Sequence, residues 1–264
     1  MRIKNYFLIF SAFLIVSCAR NEDQKVAISS QENLVNATIW FQRSPEMKAL
    51  YYQGYNLAKL RLAEFVKQKT AKPKAVVVDI DETMLDNSPF EAQQILESSS
   101  YTPESWKKWA SLAKAKALPG AVEFTNFCDS LNVNVFYISN RKIDEVESTL
   151  KNLDSLGFSF ARKENMIFKE TVSSKKSRRD HVSEKFEIVM LIGDNLNDLS
   201  EVFEKRGVDW GTSIVELNKK EFGNRFIVLP NPMYGDWEKN IYGSGESSTV
   251  EQKRELRLKV IYGI

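Results

Sequence analysis

A doubly wound α/β fold built on a parallel sheet is what this sequence predicts, and three observations predict it. Short apolar runs at 75–78 and 188–192, and at 133–138 interrupted only by Asn134, have the pattern of strands buried on both faces. Stretches of helical spacing separate these runs, so strands and helices alternate along the chain. Each run also ends in a polar cluster, and open α/β sheets bind ligands beyond the carboxyl ends of their strands.

The composition of the 264 residues fits one sizeable domain, with 43% hydrophobic content. A net charge of +2, with both signs interspersed, gives no footprint for a nucleic-acid polymer. Arg2 and Lys4 precede an apolar stretch at 6–16 that is too short to span a bilayer, so 1–17 reads as a signal peptide. It ends Ile15-Val16-Ser17-Cys18, which resembles a bacterial lipobox with Cys18 as the lipidated first residue. Residues 18–30 then form a polar tether. The expected address is the bacterial cell envelope, lipid-anchored, with the outer membrane favoured because Ala19 is not an aspartate. With Cys18 lipidated, Cys128 is the remaining thiol and reads as a buried structural residue.

The catalytic domain is expected over 31–264. Ser44-Pro45-Glu46 supplies an N-cap, an N1 proline and a first-turn acid. Met47, Leu50, Tyr51, Leu57, Leu60 and Phe65 keep helical spacing up to the break at Lys72-Pro73. Residues 86–118 are aromatic and polar without a strand pattern, and read as a small helical cap. A helix over 120–131 leads to the second strand, and a helix over 142–156 carries Ile143, Val146, Leu150 and Leu153 and stops at Gly157. A short strand is expected at 166–168, a basic helical stretch at 173–186, a fourth core strand at 226–229 and a charged helix at the C-terminus.

Asp79 and Asp81 end the first strand, Ser139, Asn140 and Arg141 the second, and Asp194 and Asp198 follow the third. Carboxylates are costly at the edge of an apolar core unless paired or metal-bound. Phosphoryl transfer uses this set: an attacking carboxylate, a second carboxyl to protonate the leaving oxygen, a metal, and a hydroxyl, amides and a lysine for the phosphate.

The stretches V-V-V-D-I-D-E-T-M-L-D-N-S-P, P-G-A-V-E-F, V-F-Y-I-S-N-R, S-S-K-K-S-R-R, G-D-N-L-N-D and L-P-N-P-M-Y-G-D-W resemble one family from about residue 31 onward. It is the four-aspartate group of the haloacid dehalogenase superfamily, and within it the class C nonspecific acid phosphatases, or "5′-nucleotidase, lipoprotein e" group. The resemblance implies Asp79 as nucleophile and Asp81 as acid/base with its backbone carbonyl on Mg²⁺. It implies Asp194 as the next metal ligand, Asp198 in support, and Ser139, Asn140 and Lys175 on the phosphate. Lys176 competes with Lys175 for that role, and Arg141 serves either the site or a helix-start ion pair. Tyr234 would stack on a base, with Trp109 of the cap opposite, unless the two loop aromatics, Tyr234 and Trp237, pack the C-terminal helix instead.

The activity implied is Mg²⁺-dependent hydrolysis of small phosphomonoesters such as 5′-nucleotides. Broad or sugar-phosphate specificity, or a surface lipoprotein that only binds, are the alternatives, and a homo-oligomer is compatible with either. Asp81 must carry a proton at the start of the chemical step, so a mildly acidic optimum is expected. His181 and the rest of the Lys-Lys-Ser-Arg-Arg run read as solvated.

Overall fold

Ser44 divides the first two helices, α1 (Val35–Arg43) and α2 (Pro45–Phe65), of a computed structural model that describes residues 31–242 and 249–263. The signal segment, Cys18 and the tether lie outside the described residues. Ser44 Oγ accepts from the Met47 amide at 3.2 Å, so the cap acts as its residue types require. The buried stripe of α2 is Met47, Tyr51, Tyr55, Ala58 and Leu62. Leu50 and Leu60 therefore fall on the exposed side, contrary to the sequence reading. Two tyrosines tolerate full burial because their hydroxyls donate to the carbonyls of Glu82 and Thr83, each at 2.5 Å.

Next come β1 (Lys74–Val78), β2 (Leu85–Asp86), α3 (Ser88–Leu96), α4 (Pro103–Ser111) and β3 (Lys116–Ala117). Strands β2 and β3 pair antiparallel and close the base of the α3–α4 segment, the cap. The sequence reading placed no strand here, because two-residue strands are too short to show alternation. In the cap, Phe90 and Trp106 meet edge to face with centroids 5.3 Å apart.

The chain continues through α5 (Ala121–Ser130), β4 (Asn134–Lys142), α6 (Val146–Ser155), β5 (Met166–Lys169), α7 (Lys176–Lys185) and β6 (Glu187–Gly193). It ends in α8 (Leu196–Leu199), α9 (Thr212–Leu217), β7 (Phe226–Val228), α10 (Lys239–Tyr242) and α11 (Val250–Lys259). The five-stranded sheet has the order β5-β4-β1-β6-β7, and every pairing in it is parallel. Val76 and Val78 face the core under α2 and α5, whereas Ala75 and Val77 face Val182 and Phe203 on the other side. A strand covered on both faces needs this uninterrupted apolar run.

Strand β4 runs past Ile138 to Lys142, with its pairing to β5 shifted between Ser139 and Lys142. Ser139, Asn140 and Arg141 thus lie within the strand, and Ile143 falls in an exposed 3-10 turn instead of the α6 core face. Among the described residues, no helix is long and apolar enough to cross a membrane.

Candidate active site

Asp79 stands at the carboxyl end of β1, where its amide continues the ladder to the Ile192 carbonyl at 2.9 Å. Its Oδ1 accepts from Lys175 Nζ, and the same ammonium contacts Asp198 Oδ1 at 2.7 Å. Lys175 precedes α7 and is only 4% exposed, so it is committed to this pair. Asp79, Asp194 and Asp198 bring carboxylate oxygens within 4.8 Å of one another. Burial raises the Asp79 carboxyl above the ordinary range; Lys175 opposes the shift, and Asp198 and Asp81 add to it. Asp194 is raised for the same first reason, then by Asp198 and Asp79, against a 2.8 Å hydrogen bond from Asn231 Nδ2. Two buried carboxylates and the half-buried Asp194 around one ammonium leave negative charge in excess. Their hard oxygen donors fit a small divalent cation.

Gly193 makes the close approach feasible. A Cβ at that position would lie 2.5 Å from Asp198 Oδ2. Asp198 is in turn held by the Asn195 amide at 3.0 Å and by its place in the first turn of α8.

Asp81 has a different set of partners. Arg141 is buried and grips Asp81 Oδ1 through Nη2 at 2.8 Å and Nε at 3.0 Å. Thr149 Oγ1 takes the remaining Nη1 donor at 2.9 Å, and the guanidinium lies 5.3 Å from the Trp106 ring centroid. Asn87 Nδ2 also donates to Asp81 Oδ1, at 2.8 Å. Ser139 Oγ, fully buried, is 3.4 Å from Asp81 Oδ2 and accepts from the Arg141 amide at 3.0 Å. Arg141 is thus an acid-holding residue of the site, not a helix-start ion pair.

The basic run divides against expectation. Lys176 pairs with Asp180 on the surface, and His181 is exposed beside Glu184. Arg178 and Arg179, expected to be solvated, are buried. Arg178 donates to the Ser139 carbonyl at 2.5 Å and to Asn140 Oδ1 at 2.7 Å, which fixes the β4 end. Arg179 reaches the Asp198 carbonyl at 3.1 Å and Glu201 at 2.9 Å, which fixes the α8 turn. Sequence reasoning missed both, because a charged run carries no mark of which members turn inward.

A cavity of about 460 Å³ opens over these residues. Asp79, Asp81, Asn140, Arg141, Lys175, Asp194 and Asp198 line its floor, with Tyr101, Trp106 and Tyr234 on its walls. Trp109 is not among the lining residues; its Nε1 donates to Asn87 Oδ1 at 2.8 Å instead. The cap rings that line the cavity with Tyr234 are Trp106 and Tyr101. Glu91 and Glu238 line the same cavity, and burial with the nearby Glu238 charge pushes Glu91 up to about 7. Cys128 is buried far from this site, and burial pushes its thiol well up.

A parallel sheet whose central strand ends in Asp-x-Asp, with a lysine and two further aspartates from the next crossovers, defines a phosphoryl-transfer class of α/β protein. The chain belongs to the HAD superfamily, subfamily IIIB (acid phosphatase), whose family model matches residues 16–237. It is similar to the class C acid phosphatase of Bacillus anthracis, with 38% identity and a TM-score of 0.85 over 89% of this chain and 99% of that one. The tungstate-bound structure of the Bacillus anthracis enzyme matches equally, at 38% identity and a TM-score of 0.85 over 89% of this chain and 98% of that one. Among curated proteins, the stem 31 kDa glycoprotein of Glycine max is 26% identical over 60% of this chain, and acid phosphatase 1 of Solanum lycopersicum 27% identical over 60%. The chain spans 58% and 57% of the length of these two relatives.

Proposed function

We propose that this chain is a Mg²⁺-dependent phosphomonoesterase that acts through an aspartyl-phosphate, with 5′-nucleotides as its substrate class. The observation that carries the reading is the division of labour at the end of β1. Asp79 faces a lysine and two carboxylates suited to a cation, and Asp81, two residues on, faces an arginine on the same cavity. In the first step an Asp79 oxygen bonds to phosphorus. The bond to the ester oxygen breaks, and that oxygen takes the Asp81 proton as it leaves. In the second step water attacks phosphorus and gives its proton to Asp81, and the Asp79–phosphate bond breaks to release phosphate. Lys175, Ser139 and the backbone near Asn140 supply donors to the phosphate oxygens. Mg²⁺ held by Asp79, Asp194 and Asp198, with the Asp81 carbonyl, would offset repulsion between the phosphate and these carboxylates.

The aromatic walls support a flat leaving group, and base stacking contributes roughly 1–3 kcal/mol. Tyr234→Ala should raise KM for 5′-AMP about tenfold, with p-nitrophenyl phosphate turnover at saturation little changed. Equal losses on both substrates would assign Tyr234 to packing. The primary test is p-nitrophenyl phosphate hydrolysis with EDTA and with Mg²⁺ restored. Activity should vanish and return, and fall on the alkaline side of a mildly acidic optimum; undiminished hydrolysis in EDTA would overturn the metal assignment. The lipobox supports an envelope address, so Cys18→Ser should move the protein from membrane to soluble fractions. Retention on membranes would count against lipidation at Cys18.

A further inference from the structure

We infer that Asn87 is a positioning residue that sets the Asp81 carboxylate for proton transfer, and that Trp109 of the cap fixes Asn87 in turn. Asn87 is fully buried between β2 and α3, and its backbone amide donates to Glu82 Oε1 at 2.8 Å. Its Oδ1 faces two groups that only donate, the Trp109 indole N–H at 2.8 Å and Arg141 Nη2 at 3.3 Å. That arrangement leaves one orientation for the amide. Its NH₂ must point to Asp81 Oδ1, where it stands at 2.8 Å.

The consequence falls on the individual oxygens of Asp81. Oδ1 accepts from Asn87 Nδ2, Arg141 Nη2 and Arg141 Nε at 2.8, 2.8 and 3.0 Å, so its lone pairs are occupied. Oδ2 has only the longer contacts, Arg141 Nε at 3.3 Å and Ser139 Oγ at 3.4 Å. Oδ2 is therefore the less constrained oxygen of Asp81, a residue that lines the cavity. With α4 docked, Trp109 orients Asn87, and Asn87 pins Oδ1. This inference rests on the reading of Asp81 as the proton donor proposed above.

As the phosphorus–oxygen bond breaks, its electron pair goes to the leaving oxygen, which takes the proton that Asp81 delivers in the proposed mechanism. A p-nitrophenolate departs with little help, whereas an alkoxide needs the proton. Misplacing the donor should therefore cost more for alkyl than for aryl esters, and a merely structural defect should cost both alike.

The experiment measures kcat and KM for p-nitrophenyl phosphate and glycerol phosphate in Asp81→Asn, Asn87→Asp and Trp109→Phe, with a melting curve for each. Asn87→Asp keeps the shape and the acceptor for Trp109 but loses the donor to Oδ1. Trp109→Phe keeps an aromatic ring of smaller size and removes the N–H donor, so it tests the relay even if the first variant folds poorly, and its melting curve reports the packing lost with the indole. Asn87→Asp should lose about tenfold or more in kcat on glycerol phosphate beyond its loss on the aryl ester, at near-constant KM. Trp109→Phe should show a smaller bias of the same sign. If Asp81→Asn shows no such bias, the proton-donor reading itself fails. If it shows the bias and the other two variants lose equally on both esters, or lose nothing, the positioning role is overturned.

Discussion

Asp79 and Asp81 are two residues apart, yet the molecule holds them by different parts of itself. Asp79 is surrounded by core elements: it pairs with Lys175 just before α7, and the carboxylates that follow β6 lie close by. Asp81 is bound by Arg141 of β4 and by Asn87, which answers to Trp109 in the cap. The first environment concentrates negative charge and needs cations. The second pairs one carboxylate with one guanidinium and adds neutral donors. Under the proposed mechanism, bond formation to phosphorus would fall to residues held by the core, and proton delivery to a residue whose partners reach into the cap.

The largest expected effect comes from Asp79→Asn, since an amide would not form the proposed phosphoenzyme. Turnover should drop by about 10³ or more on every ester, aryl or alkyl. Near wild-type rates in steady-state assays would remove Asp79 as the nucleophile and collapse the distinction.

Lys175→Met sharpens the comparison through stability. It leaves the Asp79–Asp194–Asp198 cluster without its ammonium, so urea denaturation should show a loss of about 3–5 kcal/mol without divalent cation. Added Mg²⁺ should restore part of that loss. Arg141→Met should also destabilise, because it strands Asp81, but with no recovery in Mg²⁺. Identical responses to Mg²⁺ in the two variants would mean that one cation site serves both aspartates.

Gly193→Ala forces a methyl group against the Asp198 carboxylate, at 2.5 Å before relaxation. A cost of about 1–3 kcal/mol in denaturant midpoints is expected, together with weaker Mg²⁺ activation. Unchanged Mg²⁺ activation would show that Asp198 is not needed where it stands.

The smallest effect belongs to Glu91 in the cap. Its carboxyl is raised above the ordinary glutamate value of 4.5 to about 7, first by burial and then by Glu238. Between those values the folded chain keeps a proton that the unfolded chain has released. Stability from this group therefore falls as pH rises from about 4.5 to 7, and is flat beyond. Glu91→Gln should flatten that part of the melting temperature profile; an unaltered slope would place the titration elsewhere.

The sequence by itself determined the sheet and the chemistry of its rim. Unbroken apolar runs specify strands buried on both faces, and polar residues directly after such runs must meet at one edge, because all the strands are parallel. Asp79, Asp81 and Asp194 were legible for that reason, and Lys175 came only from the resemblance to a known family, where Lys176 competed with it. Only the tertiary structure decided which charged residues turn inward. Arg178 and Arg179 look like their solvated neighbours in sequence, but Arg178 reaches the Ser139 carbonyl on β4 and Arg179 the Asp198 carbonyl in α8. It also decided that Trp109 leaves the cavity wall to donate to Asn87, and that Asn87 joins the acid side of the site. These roles depend on donors and acceptors that meet across long separations in the chain, and no local periodicity records such a meeting.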